Sequence, residues 1–108
     1  MDKLQLKTEI ASQLEAFGNK DQDAIDYTFE LITLIDDMVG IEYLQLGYNT
    51  SKDPNDLQSN ITIIRTAKDS EEYNLNELMG IIENHDMADG ILDIIQINEN
   101  TIAIDCIY

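Results

Sequence analysis

Residues 21–40 read DQDAIDYTFELITLIDDMVG, and this stretch decides the fold. Ile25, Phe29, Ile32, Ile35 and Val39 recur at helical spacing, and Tyr27, Leu31, Leu34 and Met38 form a second row beside them. Two adjacent apolar rows make a face too wide for a surface helix, so the stretch is expected to be the central helix of a small core. Asp21 or Asp23 can cap its start, and Gly40 can end it. Only a narrow face remains polar, carrying Asp26, Glu30, Thr33 and Asp37.

A central helix needs partners on its apolar sides. Upstream, residues 2–17 place Leu6, Ile10, Leu14 and Phe17 on one helical face, with Gly18 and Asn19 as the stop. Downstream, residues 41–48 and 61–67 read as strands, the second alternating Ile61, Ile63 and Arg65 against Thr62, Ile64 and Thr66. Residues 49–60 between them are polar, hold the only proline, Pro54, and are long for a hairpin connection. A third helix is expected from Asn74, with Glu77 completing a capping box and Leu75, Leu78, Met79 and Ile82 facing inward. It should end within residues 84–90. A last hairpin follows over 91–97 and 101–108, turning at residues 98–100. The reading is one α+β domain over residues 1–108, in the order α-α-β-β-α-β-β. Its four-stranded, mostly antiparallel sheet carries the helices on one face.

The charge is less ordinary than the fold. The chain has 22 Asp and Glu against 6 Lys and Arg, a net charge of -16. Seven acids and no base lie between Asp21 and Ser51, and ten acids and no base between Asp69 and Tyr108. A net charge of about 2–8 suffices for the solubility of a small domain. The excess also destabilises the compact state through self-repulsion. Seventeen Ile and nine Asn show the bias of an AT-rich coding sequence, which should also raise Lys, yet only five Lys occur. Lysine is therefore selectively depleted. Halophilic adaptation is the plain alternative, but bulky Ile and Asn fit it less well than small apolar residues would. Disorder, usual for acidic chains, requires low hydrophobicity; here 44% of residues are hydrophobic.

Some acids stand where they should cost stability. Asp36 and Asp37 lie in the last turn of the second helix, where negative charge opposes the macrodipole by about 0.3–1 kcal/mol each. Asp26 and Glu30 are like charges at i,i+4. If Ile97 stands opposite Thr101, Asp93 and Asp105 face each other across the last hairpin, also unfavourably. Costs accepted at several places suggest selection for something besides stability.

Catalytic signatures are weak. No nucleophile elbow, phosphate-binding loop or dinucleotide fingerprint is present. His85 and Cys106 are the only residues of their kinds, and Cys106 sits in a strand, the setting of an inert thiol. A single cysteine excludes an intrachain disulfide and suits a reducing cytosol. His85, Asp86 and Asp89 are the best metal candidates, but their spacing matches no closed site and reads as a polar turn. Asp53 with Asp56, and Asp21 with Asp23 and Asp26, lack the glycine and glutamate of a calcium loop. No metal or cofactor is expected. Residues 1–13 alternate charged and apolar side chains, so no secretory signal is expected, and no apolar run approaches the roughly 20 residues of a bilayer span. Direct nucleic-acid binding is disfavoured for want of clustered Lys and Arg.

Carboxylates on rigid helices and strands, about 5–7 Å apart, can imitate the charge array of a nucleic-acid backbone. In size and charge the chain resembles the small acidic inhibitors made by phages and mobile elements against restriction enzymes, CRISPR effectors and DNA-repair glycosylases. That likeness is one of class and rests on no alignable segment. It implies a non-enzymatic, cytoplasmic inhibitor of a basic nucleic-acid-binding protein in a bacterial host. The acids expected to meet that partner are Asp23, Asp26, Glu30, Asp36, Asp37, Glu71, Glu72, Glu83, Asp86, Asp89, Asp93 and Asp105. Tyr43, Tyr48 and Tyr73 are candidate anchors beside them. Two other readings share the charge. One is an immunity protein or antitoxin that neutralises a basic toxin. The other is a phage or plasmid adaptor module, self-associating into a homodimer through the wide apolar face of the second helix.

Overall fold

A computed structural model describes residues 1–18, 20–47, 59–84 and 91–107; residues 59–60, 91–93 and 105–107 are followed along the backbone only. Three helices, α1 (Lys3–Ala16), α2 (Gln22–Val39) and α3 (Leu75–Glu83), combine with four strands, β1 (Ile41–Gln45), β2 (Ser59–Thr66), β3 (Ile91–Asn98) and β4 (Thr101–Ile107). A short 3-10 turn over Ser70–Glu72 leads into α3. The strands form one antiparallel sheet in the order β1-β2-β4-β3, and the helices cover one of its faces. Element order and architecture are those expected from the sequence.

The core lies between that sheet face and the helices. Leu6, Ile10 and Leu14 of α1, Ile32, Ile35 and Val39 of α2, and Leu78 and Ile82 of α3 meet Ile41, Leu44, Ile64, Ile94, Ile102 and Ile104 of the sheet. Each such side chain contributes about 1.5–3 kcal/mol by leaving water. The deepest row of α2 is thus consumed by the core, with Ile25, Phe29, Leu31 and Met38 packed at its margin. Of the wide apolar face of α2, Leu34 is exposed and Ile25, Tyr27, Phe29, Leu31 and Met38 are half-buried.

Helix ends follow the polar residues beside them. Asp2 and Gln5 form a reciprocal capping box at α1, and Asp21 caps α2 by accepting from the Asp23 N–H. Gly40, at φ 67°, ends α2 in a conformation other residues rarely adopt. The box expected at Asn74 and Glu77 does not form: the Asn74 side chain accepts instead from the Asn76 N–H, closing a tighter turn. Phe17, expected on the buried face of α1, is 37% exposed, because α1 has already ended at Ala16.

The sheet holds three findings that hydropathy alone does not favour. First, the inner face of β2 carries Thr62 and Thr66, both buried, while Ile61 is 52% exposed on the outer face. Burial of these hydroxyls is tolerable because each is paired: Thr62 Oγ1 accepts from the Gly47 N–H and Thr66 Oγ1 donates to the Lys68 carbonyl. The first bond requires a close approach, since a Cβ at Gly47 would run into the Ile61 backbone. Second, the last hairpin turns through Glu99 and Asn100 alone, with Asn98 opposite Thr101. Third, a bulge at Ile97 then restores the pairing of Gln96 with Ile102, and Asp93 does stand opposite Asp105. That juxtaposition therefore arises by a shorter turn plus one inserted residue, not by the three-residue loop expected. Asn19, Tyr48, residues 49–58, His85 to Gly90 and Tyr108 lie outside the described residues.

Candidate partner-binding surface

The acids expected to cost stability are supported by tertiary partners. Asp36 is half-buried, and its Oδ1 accepts from the Ile41 N–H at 2.7 Å, joining the end of α2 to the start of β1. Asp37 Oδ1 lies 3.9 Å from Lys3 Nζ. Asp26 Oδ1 lies 3.7 Å from Lys7 Nζ and accepts from Gln22 Nε2 at 2.9 Å. Helix α1 therefore supplies the cations that α2 lacks. At Asp36 the unfavourable local term is offset by the bond to β1, whereas the exposed lysine pairs of Asp26 and Asp37 offset theirs only weakly. Asp23, in the first turn of α2, is favourably placed against the macrodipole.

Further acids gather where the base-free stretch from Asp69 onward meets the end of α2. The hairpin turn anchors this region: Thr66 N–H donates to Asn100 O, Ser70 N–H to Glu99 O, and Asn100 Nδ2 to Asp69 Oδ1. Asp69 N–H in turn donates to Glu72 Oε2 at 2.9 Å, holding the 3-10 turn. Two adjoining grooves result. One, of about 470 Å³, runs between α2 and α3 and is lined by Asp37, Glu72 and Glu77, by Leu34, Met38, Tyr73 and Ile81, and by Lys68. The other, of about 610 Å³, continues past Glu71, Glu72 and Glu77 to Gln96. Tyr73 lines both, and its hydroxyl donates to Gln96 Oε1 at 3.1 Å, tying the ring to β3.

Of the twelve acids expected to bind a partner, the structure gathers Asp37, Glu71 and Glu72 around these grooves. Glu77 belongs with them and was missed, because its spacing from Asn74 suggested a structural role. Asp26 and Glu30 continue the exposed side of α2, one turn apart, leading toward Asp37. Glu83 is exposed at the far end of α3. Asp36 is committed to the backbone of β1. Asp93 and Asp105 share a register position in the sheet, away from this cluster in sequence and in fold. Asp86 and Asp89 lie outside the described residues, as does the metal candidate with His85.

Each gathered carboxylate is exposed; Asp37 and Glu77 sit on α2 and α3, which are rooted in the core, and Glu71 and Glu72 on the 3-10 turn, which is held by the Asp69–Glu72 bond. Among the described residues no three His, Cys, Asp or Glu are placed to hold a metal ion, and no helix is long and apolar enough to cross a membrane. No protein-family model, curated protein or solved structure matches the chain.

Proposed function

We propose that this chain is a non-enzymatic inhibitor that presents carboxylates in place of nucleic-acid phosphates to the basic groove of a DNA- or RNA-binding protein. The observation that carries the reading is the gathering of Asp37, Glu71, Glu72 and Glu77 along two adjoining grooves, with Lys68 the one base among the described residues that line them. Asp26 and Glu30 extend it along α2 at a rise of about 6 Å per four residues, near the spacing of successive phosphates. The target class is that of restriction enzymes, CRISPR effectors and repair enzymes in a bacterial cytosol. Attraction between fields of opposite sign would speed capture, and the complex would weaken as salt is raised.

The test is a pull-down from bacterial lysate at low and high salt, with and without excess duplex DNA. Displacement of a basic nucleic-acid-binding protein by DNA supports mimicry. Replacing Glu71, Glu72 and Glu77 together by Gln should then slow association at least about tenfold at low salt. A partner held equally well in the presence of DNA refutes mimicry.

One observation favours a second reading. The groove between α2 and α3 is lined by Leu34, Met38, Ile81 and Tyr73 as well as by acids. Aromatic and aliphatic side chains beside charge suit a dedicated protein partner, such as a basic toxin neutralised by an immunity protein or antitoxin. Tyr73→Ala would then weaken binding more than any single Glu→Gln change.

A further inference from the structure

The groove between α2 and α3 changes character along its length. Asp37 and Met38 stand in the last turn of α2, and Leu34 one turn before them. Glu77 stands in the first turn of α3, and Ile81 one turn after it. Glu72 and Tyr73, on the segment entering α3, line the same groove. The acids therefore gather where α2 ends and α3 begins. The aliphatic pair Leu34 and Ile81 lies about 6 Å further along each helix, the rise of one turn. Met38 and Tyr73 pack against the core, whereas Leu34 is 39% exposed and Ile81 is half-buried.

Gly80 is an independent observation on the same helix. A glycine inside a helix weakens it. Among the described residues, nothing lies within 4 Å of where a Cβ at Gly80 would stand, so packing within the chain does not call for glycine there. Gly80 is next to Ile81 and three residues from Glu77, on the same turns of α3 that wall the groove. The missing side chain leaves room for the backbone of another element to approach α3 closely.

A surface complementary to this groove carries positive charge at one end and an apolar side chain one turn away. A helix with Lys or Arg four residues from Leu, Ile or Phe offers that pattern at the same rise of about 6 Å. Helices laid into grooves are recognised through anchors at this spacing. Nucleic acid is a poor occupant, because its phosphates would meet Asp37, Glu72 and Glu77. We propose that the groove between α2 and α3 receives a basic amphipathic helix of the partner protein. Its cations lie against Asp37, Glu72 and Glu77, and an apolar side chain enters between Leu34 and Ile81. This inference rests on the reading of the grooves as the partner's contact, and adds to the charge an apolar anchor that salt does not screen.

The experiment is fluorescence anisotropy of the full chain with two labelled peptides of about 20 residues, long enough to hold a helix. Both contain the same Leu and Lys residues. In one, Leu and Lys follow each other at four-residue spacing along a single face; in the other, the leucines are dispersed around the helix. Burial of one aliphatic side chain is worth about tenfold in affinity or more, so the first peptide should bind at least about tenfold tighter. At about 1 M salt, where the Debye length is about 3 Å, both should weaken while the preference remains. Leu34→Gln, at an exposed position, should remove the preference. Gly80→Gln should raise Tm, since it strengthens α3, and yet weaken the first peptide. Glu71→Gln, which changes the neighbouring groove only, should leave the preference intact.

Equal binding of the two peptides overturns the proposal, as does a preference that survives both Leu34→Gln and Gly80→Gln. A groove filled by a second copy, read as a mass that rises with concentration and falls when peptide is added, overturns it too. These outcomes are separable from the fate of charge mimicry. Equal peptide binding alongside a partner displaced by DNA leaves mimicry standing and removes the helix site. A clear peptide preference alongside a partner indifferent to DNA does the reverse.

Discussion

Asp36 and Asp37 are neighbours in sequence with the same charge and the same place against the α2 macrodipole, yet the structure predicts opposite responses to Ala. Asp36→Ala removes the acceptor of the Ile41 N–H, a 2.7 Å bond at a residue only 1% exposed. An orphaned buried donor costs about 1–3 kcal/mol. Relief of the macrodipole returns about 0.3–1 kcal/mol, and the better helix propensity of Ala up to about 0.7 kcal/mol. The net effect is a loss near 1 kcal/mol, or a fall in Tm of about 4–8 °C. Asp37→Ala loses only an ion pair with Lys3 at 3.9 Å between side chains that are 62% and 63% exposed. Such a pair is worth about 0–1 kcal/mol, so the same two gains leave the protein unchanged or slightly more stable. Asp36→Asn keeps a neutral acceptor oxygen and should fall between. Urea unfolding of the three variants at fixed salt measures the difference. An Asp36→Ala protein as stable as Asp37→Ala would refute the reasoning, since it would mean the bond to β1 contributes nothing.

Three further outcomes are expected. Gly40→Ala should destabilise by about 1–2 kcal/mol, because φ is 67° there and the new Cβ would stand 3.0 Å from the Ala67 Cβ; thermal melts read this directly. Gln13→Ala should loosen α1 from β1, since Gln13 Nε2 donates to Leu44 O and its Oε1 accepts from the Leu46 N–H; amide exchange at Leu46 should accelerate more than at Ile64. Tyr73→Phe should cost about 0.5–1.5 kcal/mol in urea unfolding, by loss of the hydroxyl bond to Gln96.

The elements were legible because their signals are local. The double apolar row of α2, the Asp21 cap, and the glycine at position 40 all act within a few residues. The face that β2 buries was not legible. Ile61, Ile63 and Arg65 alternate with Thr62, Ile64 and Thr66, and neither set is plainly the apolar one. Only pairing with Gly47 and the Lys68 carbonyl makes the threonine face the inner one. The acids divide in the same way. Their abundance is compositional, but whether each is a free charge depends on what folds beside it. Asp26 and Asp37 meet lysines of α1, and Asp36 meets a backbone amide of β1. Glu77 is distant in sequence from Asp37 and joins it only across the groove between α2 and α3.

By itself the sequence determined the helices and strands, their order and the excess of negative charge, because periodicity, capping and composition are properties of short stretches or of the whole count. The tertiary structure alone decided where that charge stays uncompensated, and which isoleucines remain on the surface. Both depend on which residues meet across the core and the sheet, and register and packing set those meetings where spacing along the chain cannot.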